Sequence, residues 1–124
     1  MDNLRIAFIG TGSMGSAVLD GLVAAGHPKA LISATTRTEA KAKALRDRGI
    51  SALAGETAPD ANALMAGDAD LIVLGVKPYQ IVDVLTELKG EIGKNAVVIS
   101  MAAGIKLATM AAVLIVVASR MGEW

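Results

Sequence analysis

The sequence predicts an α/β protein with a single parallel sheet covered by helices on both faces. Three observations carry this. Short apolar, β-branched runs alternate with segments of helical period, and glycine and proline turns separate them. The first run leads directly into glycines at positions 10, 12 and 15, and then into a helical pattern. Strands alternating with helices at this spacing form βαβ units, whose right-handed crossovers build a doubly wound sheet. A length of 124 residues fits one domain. Apolar residues make up 53% of the chain and aromatics only 2%, so the core is aliphatic and rich in alanine.

Bulk chemistry excludes several classes. Lys plus Arg and Asp plus Glu each total 12, so net charge is zero and nothing favours nucleic acid or an acidic membrane surface as a partner. The chain has no cysteine, which excludes a disulfide framework, thiolate chemistry and a cysteine zinc cluster. A reducing, cytoplasmic setting is expected. The N-terminal apolar run is short and ends in glycines rather than in a cleavage site, so no signal peptide is read. The most hydrophobic stretch, Leu107 to Ala118, is too short at about 1.5 Å per residue to cross a bilayer of about 30 Å. It is read as buried protein, with no membrane span.

In chain order, Leu4 to Ile9 is the first strand and Ser13 to Ala25 the first helix, with Met14, Ala17, Val18, Leu22 and Ala25 at the spacing of a core face. Gly26 stops that helix. His27, the only histidine, falls between this stop and Pro28 and is expected as a solvent-exposed loop residue rather than a catalyst or metal ligand. Leu31 to Thr35 is the second strand. A helix capped by Thr38 runs from about Glu39 to Arg48, and Gly49 ends it. Ile50 to Leu53 is the third strand, Ala61 to Ala66 a short helix and Leu71 to Val76 the fourth strand. Tyr79 to Leu88 is helical, with Ile81, Val84, Leu85 and Leu88 on one face. Ala96 to Ser100 is the fifth strand, Lys106 to Met110 can begin a helix, and Val113 to Val117 can form a sixth strand.

The glycines give the fold a purpose. The strand–glycine–helix stretch Ile6 to Gly15 has the G-x-G-x-x-G pattern of a Rossmann-like dinucleotide site. Gly10 allows the tight turn out of the strand, Gly12 clears the approach of a pyrophosphate, and Gly15 lets the helix pack close to the strand. The helix start supplies free N–H groups and the positive end of a dipole. An NAD site usually places an acid at the end of the second strand, to hold the ribose 2′-hydroxyl. The window Leu31 to Thr38 has none, and offers Thr35, Thr36, Arg37 and Thr38. An arginine among hydroxyls suits a 2′-phosphate, which favours NADP over NAD.

Two further strand ends face the same crevice. In Gly75-Val76-Lys77-Pro78, proline stops the strand and Lys77 stands at the rim, read as a solvated or phosphate-side charge in preference to a catalytic acid or base. Ser100-Met101-Ala102-Ala103-Gly104 is a small-residue turn that lets a flat ring approach the backbone.

Together, Phe8 to Gly15, Ala34-Thr35-Thr36-Arg37, Val76-Lys77-Pro78 and Ser100 to Gly104 resemble the pyrroline-5-carboxylate reductases, from about Leu4 to Thr109. The resemblance implies NAD(P)H-dependent reduction of 1-pyrroline-5-carboxylate to L-proline, the last step of proline biosynthesis. It implies NADP as cofactor, with NADPH preferred over NADH. Gly10, Thr11, Gly12, Ser13, Met14 and Gly15 would hold the pyrophosphate through backbone N–H groups. Thr36 and Arg37 would contact the 2′-phosphate, and Asn62 the adenosine part. Val76, Lys77 and Pro78 would line the cleft, and Ala102, Ala103 and Gly104 would lie near the nicotinamide and substrate. No catalytic side chain and no metal ligand is assigned.

The resemblance places an NADP-binding domain at residues 1–109 and a divergent tail at 110–124. Family members continue into a Met-Pro-Asn segment and a helical domain that forms the homo-oligomer and most of the substrate pocket. Neither has a counterpart here, as a truncated, frameshifted or trimmed reading frame would give, so impaired turnover is expected. The alternatives are a stand-alone NADP(H)-binding domain, or another reductase with the same first domain, such as a β-hydroxyacid dehydrogenase or a coenzyme F420-dependent NADP reductase.

Overall fold

The computed structural model describes residues 3–100 other than residue 94. The elements are β1 (Ile6–Ile9), α1 (Ser13–Ala24), β2 (Ile32–Thr36), α2 (Glu39–Asp47), β3 (Ser51–Ala54), α3 (Ala61–Ala66), β4 (Leu71–Leu74), α4 (Ile81–Leu88) and β5 (Val97–Ser100). Single 3-10 turns at Lys29–Leu31 and Pro78–Gln80 precede β2 and α4. All strand pairs are parallel, in the order β3-β2-β1-β4-β5. The chain therefore winds outward from β1 in one direction and then in the other, and the reversal falls between β1 and β4.

Side chains alternate across the pleat, so each strand feeds two layers. Ile6 and Phe8, in register with Ile32 and Ala34, face Leu19 of α1 and Ala42 and Leu45 of α2. Ala7 and Ile9, in register with Ile72 and Leu74, face Ala66 of α3 and the Ile81, Val84, Leu85 and Leu88 stripe of α4. Most of these side chains are aliphatic; among the described residues Phe8 is the one buried aromatic ring. Helices thus cover both faces of the central strands. At the β5 edge the α4 side is packed through Val98, while Val97 and Ile99, 58% and 46% exposed, leave the opposite side open.

Elements follow the sequence pattern with ends displaced by a residue or two. The fourth helix differs most: Tyr79 to Leu88 divides into a 3-10 turn and α4 proper. The Gln80 side chain accepts from the Lys77 N–H at 3.0 Å, and the Gln80 N–H donates to the Lys77 carbonyl at 2.8 Å, which closes a tight turn before the α-helix begins.

Two expectations are corrected. The buried stripe of α1 runs through Gly15 and Leu19 to the half-buried Leu22 and Val23, whereas Ala17 and Ala25 are exposed and Val18 is 42% exposed. Gly15 and Leu19, four residues apart on one edge of the helix, are both buried. His27 is half-buried rather than solvent-exposed, and its Nε2 donates to the Leu4 carbonyl at 2.9 Å. It fastens the α1–β2 connection to the segment entering β1. The Lys106–Met110 helix start, the Val113–Val117 strand and the tail at 110–124 lie outside the described residues. Among the described residues, no helix is long and apolar enough to cross a membrane.

Leu85 is fully buried and its neighbour Val82 is 41% exposed on the same helix. Leu85→Ala is expected to lower unfolding free energy by about 3 kcal/mol, and Val82→Ala by less than about 1 kcal/mol. Urea unfolding of the two variants measures the difference.

Candidate functional site

The topological switch between β1 and β4 opens a crevice at the carboxyl ends of the strands, where ligands of open α/β sheets bind. Its floor is the turn after β1. Gly10 has φ +72°, in the left-handed region. A Cβ at Gly10 would overlap Val76 Cγ1. From the β4 side, the Gly75 N–H donates to the Ile9 carbonyl at 2.8 Å. A Cβ at Gly75 would stand 2.6 Å from the Gly10 carbonyl oxygen, a backbone atom that cannot swing aside. The two chain ends touch without side chains between them.

β2 holds the same turn from the other side. The Thr35 hydroxyl accepts from the Gly10 N–H at 2.8 Å, and the Thr35 carbonyl accepts from the Thr11 N–H at 2.8 Å. Thr35 is 2% exposed, so both bonds are shielded from water. The Gly12 N–H donates to the Gly10 carbonyl at 2.9 Å. The Thr11 hydroxyl donates to the Phe8 carbonyl at 3.4 Å. The donors of Gly10 and Thr11 are therefore spent on β2, and that of Gly12 within the loop.

The next three donors are not. Gly12 is the N-cap of α1 with no side-chain cap, and the first intrahelical bond runs from the Ser16 N–H to the Gly12 carbonyl at 2.8 Å. The N–H groups of Ser13, Met14 and Gly15 thus belong to the first turn, which has no intrahelical acceptors. A Cβ at Gly12 would meet only the Gly75 carbonyl, at 3.7 Å, so the protein itself does not require glycine there. A Cβ at Gly15 would meet Thr11 Cγ2 at 3.7 Å, an ordinary contact. The close approach expected of Gly15 is made by Gly75.

At the end of β2, Thr36 is buried and its hydroxyl donates to the Thr38 carbonyl at 2.8 Å. The Thr38 hydroxyl caps α2 by accepting from the Lys41 N–H at 3.4 Å. The hydroxyls expected to flank Arg37 are each engaged by a backbone group, and Arg37 is left exposed beside them. Across the crevice, Val76 is half-buried and Lys77 exposed, and Pro78 opens the 3-10 turn. Among the described residues no carboxylate pairs with Lys77. Asn62 stands at the start of α3, and its Nδ2 donates to Glu87 Oε2 at 3.2 Å, tying α3 to α4. Ala102, Ala103 and Gly104 lie outside the described residues. No cluster of three His, Cys, Asp or Glu that could hold a metal occurs among those described. A cavity of about 200 Å³ lies at the opposite ends of the strands, between Ser33, Ser51 and Leu64, and belongs to a different face of the molecule.

Comparison with known proteins agrees with this geometry. The family described as "NADP oxidoreductase coenzyme F420-dependent" matches residues 5–104. The chain belongs to that family. A curated relative, the pyrroline-5-carboxylate reductase of Corynebacterium melassecola, is 42% identical over 109 residues, which is 85% of this chain and 38% of the relative. A solved pyrroline-5-carboxylate reductase from Coxiella burnetii superposes with TM-score 0.74 at 31% identity, covering 97% of this chain and 40% of that one. The Plasmodium falciparum pyrroline carboxylate reductase, solved with NADP bound, has the same fold, with TM-score 0.73 at 23% identity over 91% of this chain and 38% of that one. The chain thus spans well under half the length of these relatives, and matches their N-terminal part. The resemblance read from the four motifs is to these proteins, and the Rossmann-like α/β fold is the one they share.

Sequence reasoning gave Thr35 and Gly75 no structural role. Gly75 could have been found as the small residue at the strand end opposite the glycine turn. Thr35 could have been found as a hydroxyl at the end of the neighbouring strand. Gly75→Ala is expected to cost about 2–4 kcal/mol of stability and Gly12→Ala about 1 kcal/mol or less. Thermal and urea unfolding compare them. Equal losses would show that the β1–β4 contact does not set the loop.

Proposed function

We propose that this chain binds NADP(H) in the β1–β4 crevice and forms the cofactor-holding part of a reductase that converts 1-pyrroline-5-carboxylate to L-proline. The observation that carries the reading is the uncapped start of α1, where the first-turn N–H groups of Ser13, Met14 and Gly15 have no intrahelical acceptor and follow a glycine that packing alone does not require. Those donors and the helix dipole suit a diphosphate. The names of the relatives support the substrate.

In this reading the NADP-binding domain comprises residues 1–109. Ser13, Met14 and Gly15 donate to the pyrophosphate, and Gly12 leaves room for it. Gly10 and Thr11 shape the loop through their bonds to Thr35. Arg37 pairs with the 2′-phosphate, and Thr36 fixes the turn that presents it. Asn62 supplies the adenosine side with the groups not engaged by Glu87. Val76, Lys77 and Pro78 wall the cleft, and Ala102, Ala103 and Gly104 extend that wall toward the nicotinamide. NADPH, when bound, supplies the hydride that reduces the imine carbon. The chain's contribution is to hold and orient the cofactor. Efficient reduction also requires the imine to be held beside it. We assign that task to the part of the relatives that this chain does not span, and expect the chain alone to bind cofactor with little turnover.

A second reading, an NADP(H)-binding module without chemistry, is favoured by one observation: no acid–base pair stands in the crevice among the described residues. Substrate-dependent NADPH oxidation separates the two.

Titration of the purified chain with NADPH and NADH, followed by cofactor fluorescence, tests the common core of both. Saturable binding that prefers NADPH is expected. Arg37→Gln should weaken NADPH about tenfold and leave NADH within about twofold, since a charge-assisted contact to the 2′-phosphate is lost. No binding to either cofactor by folded protein would overturn the proposal.

A further inference from the structure

β2 carries no acid at its end, but the adjacent strand brings one to the same place. The turn after β3 lies along the turn after β2: the Gly55 N–H donates to the Thr36 carbonyl at 2.9 Å and the Glu56 N–H to the Arg37 carbonyl at 3.4 Å. Glu56 is exposed, and its Oε1 accepts from the Glu39 N–H at 2.9 Å, at the first residue of α2. The start of α2 is therefore already served by a carboxylate at Glu39 and by the Thr38 hydroxyl at Lys41. The other acid of this corner is engaged elsewhere. The Glu39 carboxylate pairs with Arg46 and accepts from the Thr57 hydroxyl at 3.1 Å.

We propose that Glu56 is a specificity-determining residue of the cofactor site. It opposes the preference for a 2′-phosphate that Arg37 creates, and so narrows the discrimination between NADPH and NADH. The inference rests on the NADP(H) reading of the crevice. An exposed arginine at the end of β2 marks the ribose 2′ position in this fold. A carboxylate fixed to the backbone beside that arginine repels a phosphate there and leaves an uncharged 2′-hydroxyl unopposed. Its cap on Glu39 keeps the charge at this rim instead of letting it swing into solvent.

The test is the ratio of NADH to NADPH dissociation constants for the full chain and for Glu56→Gln. Glutamine keeps an oxygen acceptor for Glu39 and removes only the charge. Glu56→Ala removes both and guards against an effect of the amide itself. Both variants are expected to raise the ratio about threefold or more at low salt, through tighter NADPH binding, with the gain shrinking at high salt. The thermal midpoint of Glu56→Gln is expected to match that of the unsubstituted chain. An unchanged ratio, or an equal change in both constants, in a chain that binds NADPH would overturn the role of Glu56 alone. A folded chain that binds neither cofactor would overturn the crevice reading and this inference together.

Discussion

The contact between Gly10 and Gly75 is the constraint on which the site depends. At the switch point two parallel strands end side by side, and the chain leaving β1 must turn over the end of β4. The Gly10 carbonyl approaches Gly75 so closely that no Cβ fits, and the Gly75 N–H ties back to the Ile9 carbonyl. Thr35 fixes the opposite side of the same turn with two bonds sheltered from solvent. With the turn held from both flanks, its own N–H groups are satisfied, and the next three, on the first turn of α1, have no intrahelical acceptor. A loop that consumed its donors differently would present no anion cradle, however many glycines it contained.

The fold was legible because it depends on pattern. β-Branched runs and the α4 stripe at positions 81, 84, 85 and 88 report burial directly, and parallel order follows from alternation and handedness. The inward face of α1 was misread because Ala17, Val18 and Ala25 are apolar but small, and small apolar residues are tolerated in water. The fully buried Leu19 marks the face that α1 turns inward, one position away from the stripe read from Val18. The partial burial of His27 depends on a carbonyl 23 positions away and has no local signature.

The turn that forms the candidate site was legible from spacing, and its hydrogen bonds were not. Spacing identified the glycine turn, and the absent acid at the end of β2 drew attention to Arg37. What spacing does not tell is where a hydroxyl points. Thr35, Thr36 and Thr38 are adjacent or nearly so, and each spends its oxygen on a different backbone group. Thr35 serves the loop, Thr36 its own turn and Thr38 the next helix. The arrival of Glu56 from β3 is likewise a product of register, since Thr36 pairs with Ala54 and so brings the residues that follow each strand together.

We propose a division of labour along six consecutive residues, in which Gly10 to Gly12 build the loop and Ser13 to Gly15 hold the phosphate. Amide NMR of the isotopically labelled chain, with and without NADPH, tests it most directly. The Gly10, Thr11 and Gly12 amides are expected to be protected from exchange in the free protein and to change little. The Ser13 and Gly15 amides are expected to exchange readily when free, then to shift and become protected on saturation. Perturbation centred on Gly10 and Thr11, or an equally rapid exchange of all these amides before NADPH is added, would contradict that division.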